Sequence, residues 1–162
     1  MNWNRRREAE ESSERGQSLV EFALLVPLLL IIVAGVLDLG RLYFAFLTIT
    51  DAAAEGVTYA TIHPPDATAV TCPASPTCAS PDDVGCICLR AQTSTEGAIE
   101  IAGDDVEITC LNCPTPPSGT PVTVTVRYDF QLATPFMNVI VPEGVLPLEA
   151  VASEAILTGA ME

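Results

Sequence analysis

The chain has 162 residues, a net charge of −14 and six cysteines. That length allows one small domain beside any membrane segment. A surface so acidic argues against nucleic acid as a partner, because phosphates would be repelled.

Residues 1–15 are polar and charged, with Arg5, Arg6, Arg7 and Arg15 among Glu8, Glu10, Glu11 and Glu14. No apolar core lies here, so this is not a secretory signal of the usual kind, whose greasy run precedes its cleavage site. It reads as a short disordered leader. The arginines place it on the cytoplasmic side of a membrane, since Lys and Arg set orientation while acids count little. A tail that is never removed is the plainer alternative.

Residues 19–37 are a 19-residue run with one charge, Glu21, near its start. At 1.5 Å per residue the run reaches roughly 28 Å, close to the ~30 Å hydrocarbon core of a bilayer. A single membrane-spanning helix is expected, with lipid around it. Pro27 inside it removes one backbone hydrogen bond and should bend or loosen the helix. Glu21 is costly in lipid without a partner. Beyond residue 37 the three- and four-residue steps continue through Leu39, Leu42, Phe46, Ile49, Ala53, Val57 and Ala60, with Arg41, Thr48, Asp51, Glu55 and Thr58 opposite. Asp38 and Arg41, three apart, can pair across one turn. His63-Pro64-Pro65 ends the pattern, so one helix is expected from about Ser18 to Ile62.

The residues of this stretch carry a resemblance. Gly16, then Glu21 and Phe22 five and six positions on, looks like the processing site of type IV prepilins of the tight-adherence class. The run R-G-Q-S-L-V-E-F-A-L-L-V-P-L-L-L, followed by L-D-L-G-R-L-Y-F-A-F and D-A-A-A-E-G-V-T-Y-A, resembles TadE-like minor pilins. The resemblance is dense from Arg15 to about Ala60. It implies cleavage between Gly16 and Gln17 by a prepilin peptidase. It also implies assembly with other pilin subunits and the pilus platform through Glu21, Phe22 and Pro27. Glu21 would then pair with the α-ammonium that cleavage creates at Gln17. A carboxylate that merely snorkels to the interface is the alternative. The divisions this suggests are 1–16 leader, 17–38 transmembrane helix, 39–63 amphipathic continuation and 64–162 exported domain.

All six cysteines, Cys72, Cys78, Cys86, Cys88, Cys110 and Cys113, follow the helix. That puts them in the compartment where disulfides persist, and their even number fits bridges of open connectivity. Cys110-x-x-Cys113 also admits a redox or zinc reading, but it leads into prolines and lacks a matching knuckle. The pairs Asp82-Asp83 and Asp104-Asp105 could gather calcium, yet neither has the spacing of a dedicated loop; turns and solvated charge account for them. No cofactor, metal or catalytic constellation is proposed by the sequence.

Residues 66–85 read as a Pro-rich loop, 86–102 as a short helix, and 105–110, 122–130 and 146–157 as strands. Residues 133–141 read as a helical turn or two. Val122, Val124, Val126, Tyr128 and Phe130 alternate with Thr123, Thr125, Arg127 and Asp129, the signature of a strand with one buried face. The expected fold is α+β and pilin-like. A long N-terminal helix would pack against a small antiparallel sheet of about three strands, stabilised by disulfides. The expected role is assembly rather than catalysis, on the cell surface. A membrane-anchored adhesin outside any filament, or an anchored thiol oxidoreductase, are the competing readings.

Overall fold

A computed structural model describes residues 3–80, 83–95, 97–113, 115–134, 141 and 144–157. One helix dominates it. α1 runs unbroken over Trp3–Ile62, 60 residues, with Pro27 inside, a length of about 90 Å. Its end at Ile62 matches the expected stop before His63-Pro64. Its beginning does not match: the segment read as a disordered leader is helical from Trp3. Arg6–Glu10 and Arg7–Glu11 are spaced four apart, and arginine and glutamate are good helix formers. Extending an existing helix also avoids the cost of nucleation.

Past α1 come β1 (Ala69–Thr71), α2 (Val84–Thr93), a 3₁₀ turn (Gly103–Asp105), β2 (Val106–Cys110), β3 (Pro121–Gln131) and β4 (Val145–Ala155). The strands form one antiparallel sheet in the order β1-β2-β3-β4. The sheet therefore has four strands rather than about three. The extra one, β1, is three residues long and was hidden in a stretch read as loop. It is too short to show alternation, and it exists because Val70 pairs with Ile108. The helix expected over 86–102 is also corrected. It starts two residues earlier, where Asp83 accepts the Gly85 N–H at 2.9 Å as an N-cap. It stops at Thr93, where Ser94 and Thr95 turn their hydroxyls onto the Ala91 and Gln92 carbonyls. The helical turn expected over 133–141 falls mostly on residues outside those described.

The sheet's alternation sorts its faces. Val106, Ile108, Val122, Val124, Val126 and Ala150 are buried against α1 and α2. The helical side of this core is small-grained: Ala52, Ala53, Val57 and Ala60 from α1, with Ile87, Cys88 and Ala91 from α2. Gly56 sits where the three elements meet. A Cβ there would lie 3.3 Å from both the Ala91 Cβ and a Val124 methyl, so the missing side chain sets how closely α1 approaches. Of the apolar stripe expected on α1, Ile49, Ala53, Val57 and Ala60 are buried, but Leu39 and Phe46 face outward, and Thr48, expected on the polar side, is buried with its hydroxyl donating to the Phe44 carbonyl. The domain seats on the helix's small residues, because only these let a sheet and a second helix come near at once.

On the solvent face, Arg127 of β3 reaches across both neighbours. It donates to Glu149 of β4 at 3.0 Å and to Glu107 of β2 at 3.2 Å, a cross-strand clasp. These two bonds, that to Glu149 foremost, raise the guanidinium above its usual range. Beyond β4, Ile156 is buried, and the Leu157 N–H donates to the Thr61 carbonyl at the top of α1.

The cysteines fall into three pairs at disulfide distance: Cys72–Cys88, Cys78–Cys86 and Cys110–Cys113. The first two lace the segment between β1 and α2 onto α2. Packing there is close, since a Cβ on Gly85 would fall 2.1 Å from the Thr77 carbonyl oxygen. The third closes the turn after β2, in which Asn112 takes a left-handed φ of 64°, a conformation asparagine tolerates.

Candidate assembly surface

Over residues 17–37, α1 has no buried side chain. From residue 17 to 37 every side chain is exposed or half-exposed, among them Phe22 at 67% and Leu24 at 74%. No soluble protein leaves such a row of Leu, Ile and Val in water. The helix is long and apolar enough, by length and composition, to cross a membrane. Glu21, Phe22 and Pro27 lie along this bare rod, all exposed, and Gly16 and Gln17 lie within the helix at its foot. The structure thus puts these five residues on one continuous element and leaves Gln17, Glu21, Phe22 and Pro27 exposed.

The rod ends at a polar fastening that the sequence disclosed only in part. Asp38 is buried, 5% exposed. The expected partner is present, with Arg41 Nη1 donating to Oδ1 at 3.1 Å. The stronger partners come from the far side of the chain. The Thr134 N–H donates to Oδ2 at 2.6 Å, the Ala133 N–H straddles both oxygens at 3.1 and 3.2 Å, and the Thr134 hydroxyl adds a further bond to Oδ2. The loop after β3 is therefore fixed to the helix at the point where the bare rod begins. These donors stand 95 and 96 residues from Asp38, and no local pattern announces such a pairing. An Asp in an otherwise apolar stretch was the only hint that a partner had to exist.

Beside the fastening, α1 and the sheet part to leave an open cleft of about 480 Å³. Val36, Leu37, Gly40, Arg41 and Phe44 form its helical wall, and Ile99, Tyr128 and Phe130 face them. Arg41 lies at the edge with its guanidinium 5.4 Å from the centre of the Phe130 ring. Below, the cleft runs directly into the bare rod through Val36 and Leu37. Sequence reasoning missed it, because its two walls are some 55 to 90 residues apart in the chain.

The acidic and thiol candidates go elsewhere. Asp83 caps α2, and Asp105 borders the 3₁₀ turn, where burial and then the neighbouring Asp104 raise its carboxyl above the usual range. Asp82 lies outside the described residues. Cys110 and Cys113 pair with each other at one end of β2, and among the described residues no three His, Cys, Asp or Glu side chains converge on a metal position.

Residues 16–58 match the model of a family described as TadE-like protein. The match begins at Gly16 and covers the foot of the rod, the rod itself and most of the helix that seats the domain. No curated protein and no solved structure matches the chain.

Proposed function

We propose that this chain, TadE-like over residues 16–58, is a minor pilin or pseudopilin of a tight-adherence pilus. A prepilin peptidase would cut it between Gly16 and Gln17, and the rod would carry it into assembly and so support surface adherence. The observation that carries this reading is the bare rod itself, an apolar helix over residues 17–37 none of whose side chains its own domain buries. The TadE-like match starts at the residue preceding the proposed cut. The charge bias of residues 1–15 supports a cytoplasmic N-terminus with the cysteine-bearing domain outside.

In this reading residues 1–16 are a leader and 17–38 cross the membrane, with lipid as their first surroundings. Residues 39–63 rise above it and seat the outer domain of 64–162. Glu21 is the docking residue. A carboxylate deep in the bilayer costs about 2.5–3.5 kcal/mol, and less near its edge. Cleavage supplies an ammonium at Gln17, one turn away, to offset it. Phe22 and the Pro27 turn pack against sister rods, which resatisfy the carbonyl that proline leaves free.

The deciding experiment is N-terminal sequencing of the exported protein, in the native form and in two variants. The native chain begins at Gln17, Gly16→Leu accumulates as an uncut membrane precursor, and Glu21→Leu is cut normally but fails to enter pili. An exported chain that still begins at Met1 sinks the proposal.

A further inference from the structure

The cleft beside Asp38 begins where the hydrocarbon of a bilayer would end. With residues 19–37 filling that core, Arg41 stands one helical turn, or ~6 Å, past its edge. A bilayer carries about 5–7 Å of headgroup on each side of its hydrocarbon, so the guanidinium lies at the level of the phosphates. The walls of the cleft stay apolar above that level, with Phe44 on the helix facing Ile99 and Tyr128. Apolar walls raised out of the hydrocarbon need a cover that water does not give.

Arg41 is the one charged side chain among those lining the cleft. It is also the one cation in the sequence from Gln17 to Ile62. Its side chain is 56% exposed. One N–H donor goes to Asp38 at 3.1 Å, a carboxylate that Ala133 and Thr134 already hold. The guanidinium fork carries further donors for a second anion.

We propose that the cleft holds one phospholipid of the surrounding bilayer, its phosphate diester on Arg41 and an acyl chain drawn up between Phe44 and Tyr128. This rests on the membrane reading above and adds a bound ligand to it. A single cation at the edge of an apolar slot matches a molecule that is a phosphate at one point and hydrocarbon beyond. Arginine suits the phosphate, since its fork binds two oxygens at once. The way in is open, because the cleft runs down into the bare rod through Val36 and Leu37. A chain can therefore rise into it without crossing water. The size fits as well, since about 480 Å³ lies within the roughly 300–1,000 Å³ of small-molecule sites. Gly40 keeps the slot clear. A Cβ there would meet nothing within 4 Å, so a larger side chain would occupy the lipid's place and not the protein's core.

The test places the full chain in vesicles of phosphatidylcholine and phosphatidylglycerol, carrying Tyr128→p-azidophenylalanine, a near match in shape, and irradiates it. The expected product is the chain plus the mass of one phospholipid. Arg41→Ala lowers its yield several-fold, Arg41→Lys retains part of it, and Gly40→Phe abolishes it. An equal yield in Arg41→Ala overturns the phosphate contact. A product of twice the chain's mass names a second copy as the occupant, and a link within the chain names the protein itself; either overturns the lipid. A chain that floats with the vesicles yet gives no adduct overturns the site and leaves the membrane reading standing. A chain that does not float removes that reading itself.

Discussion

Asp38 decides where the C-terminal domain sits on its helix. Its carboxylate accepts from two backbone N–H groups, a hydroxyl and a guanidinium. Removing it strands the Ala133 and Thr134 donors in a buried place, and hydrogen bonds to a charged group are worth more than neutral ones. Asp38→Ala should therefore cost about 3 kcal/mol, read as a lower denaturant midpoint of the full chain in detergent and faster proteolysis after β3. Arg41→Ala should cost under about 1 kcal/mol, because a half-exposed ion pair is worth little. Equal losses in the two variants would mean that the ion pair, and not the backbone donors, holds the loop.

Among the elements, α1 depends on what it leaves out. Gly56 brings the helix against Ala91 and Val124 at once, and a Cβ there would crowd each of them at 3.3 Å. Gly56→Leu should destabilise the outer domain by about 2 kcal/mol, since overpacking forces the neighbours apart. A midpoint unchanged by that substitution would show the interface to be loose. Much of this architecture was legible in the sequence. The rod was visible because composition alone marks it, and β3 because its alternation is clean over Val122 to Phe130. The stop at Ile62 followed from two prolines. The rest depended on partners distant in sequence. β1 is a strand only because β2 offers it an edge. The upper part of the buried row on α1, Ile49, Ala53, Val57 and Ala60, was legible, whereas Leu39 and Phe46 were misassigned because large residues look like core. The helix over residues 3–15 was missed because a polar, charged stretch without an apolar core was read as disordered, although its residues favour helix once a helix is already under way. Asp83 gave a usable signal, an acid directly before an apolar run, that the reading did not take up.

As a whole the molecule divides its stability between two unlike sources. The rod holds itself by backbone hydrogen bonds and needs only an apolar environment. The outer domain is small, and the stretch between β1 and α2 has little apolar matter to bury, so Cys72–Cys88 and Cys78–Cys86 secure it. Bridging a separation of 16 residues is worth about 3 kcal/mol in the chain-entropy account, and the closing of a three-residue turn by Cys110–Cys113 less. Cys72→Ala with Cys88→Ala should thus lower the midpoint by about that amount, while the circular-dichroism signal of the helix persists after the sheet has melted. Loss of both signals together would mean that rod and domain unfold as one unit.

The bond from Leu157 back to Thr61 gives the molecule a far pole. The chain climbs α1, folds into its sheet and returns to the helix's upper end, about 37 Å above residue 37. With the rod in a bilayer, a tag joined just after Leu157 would stand beside the far end of α1, at the opposite end of the helix from the rod. An antibody against that tag would report the subunit without covering its rod.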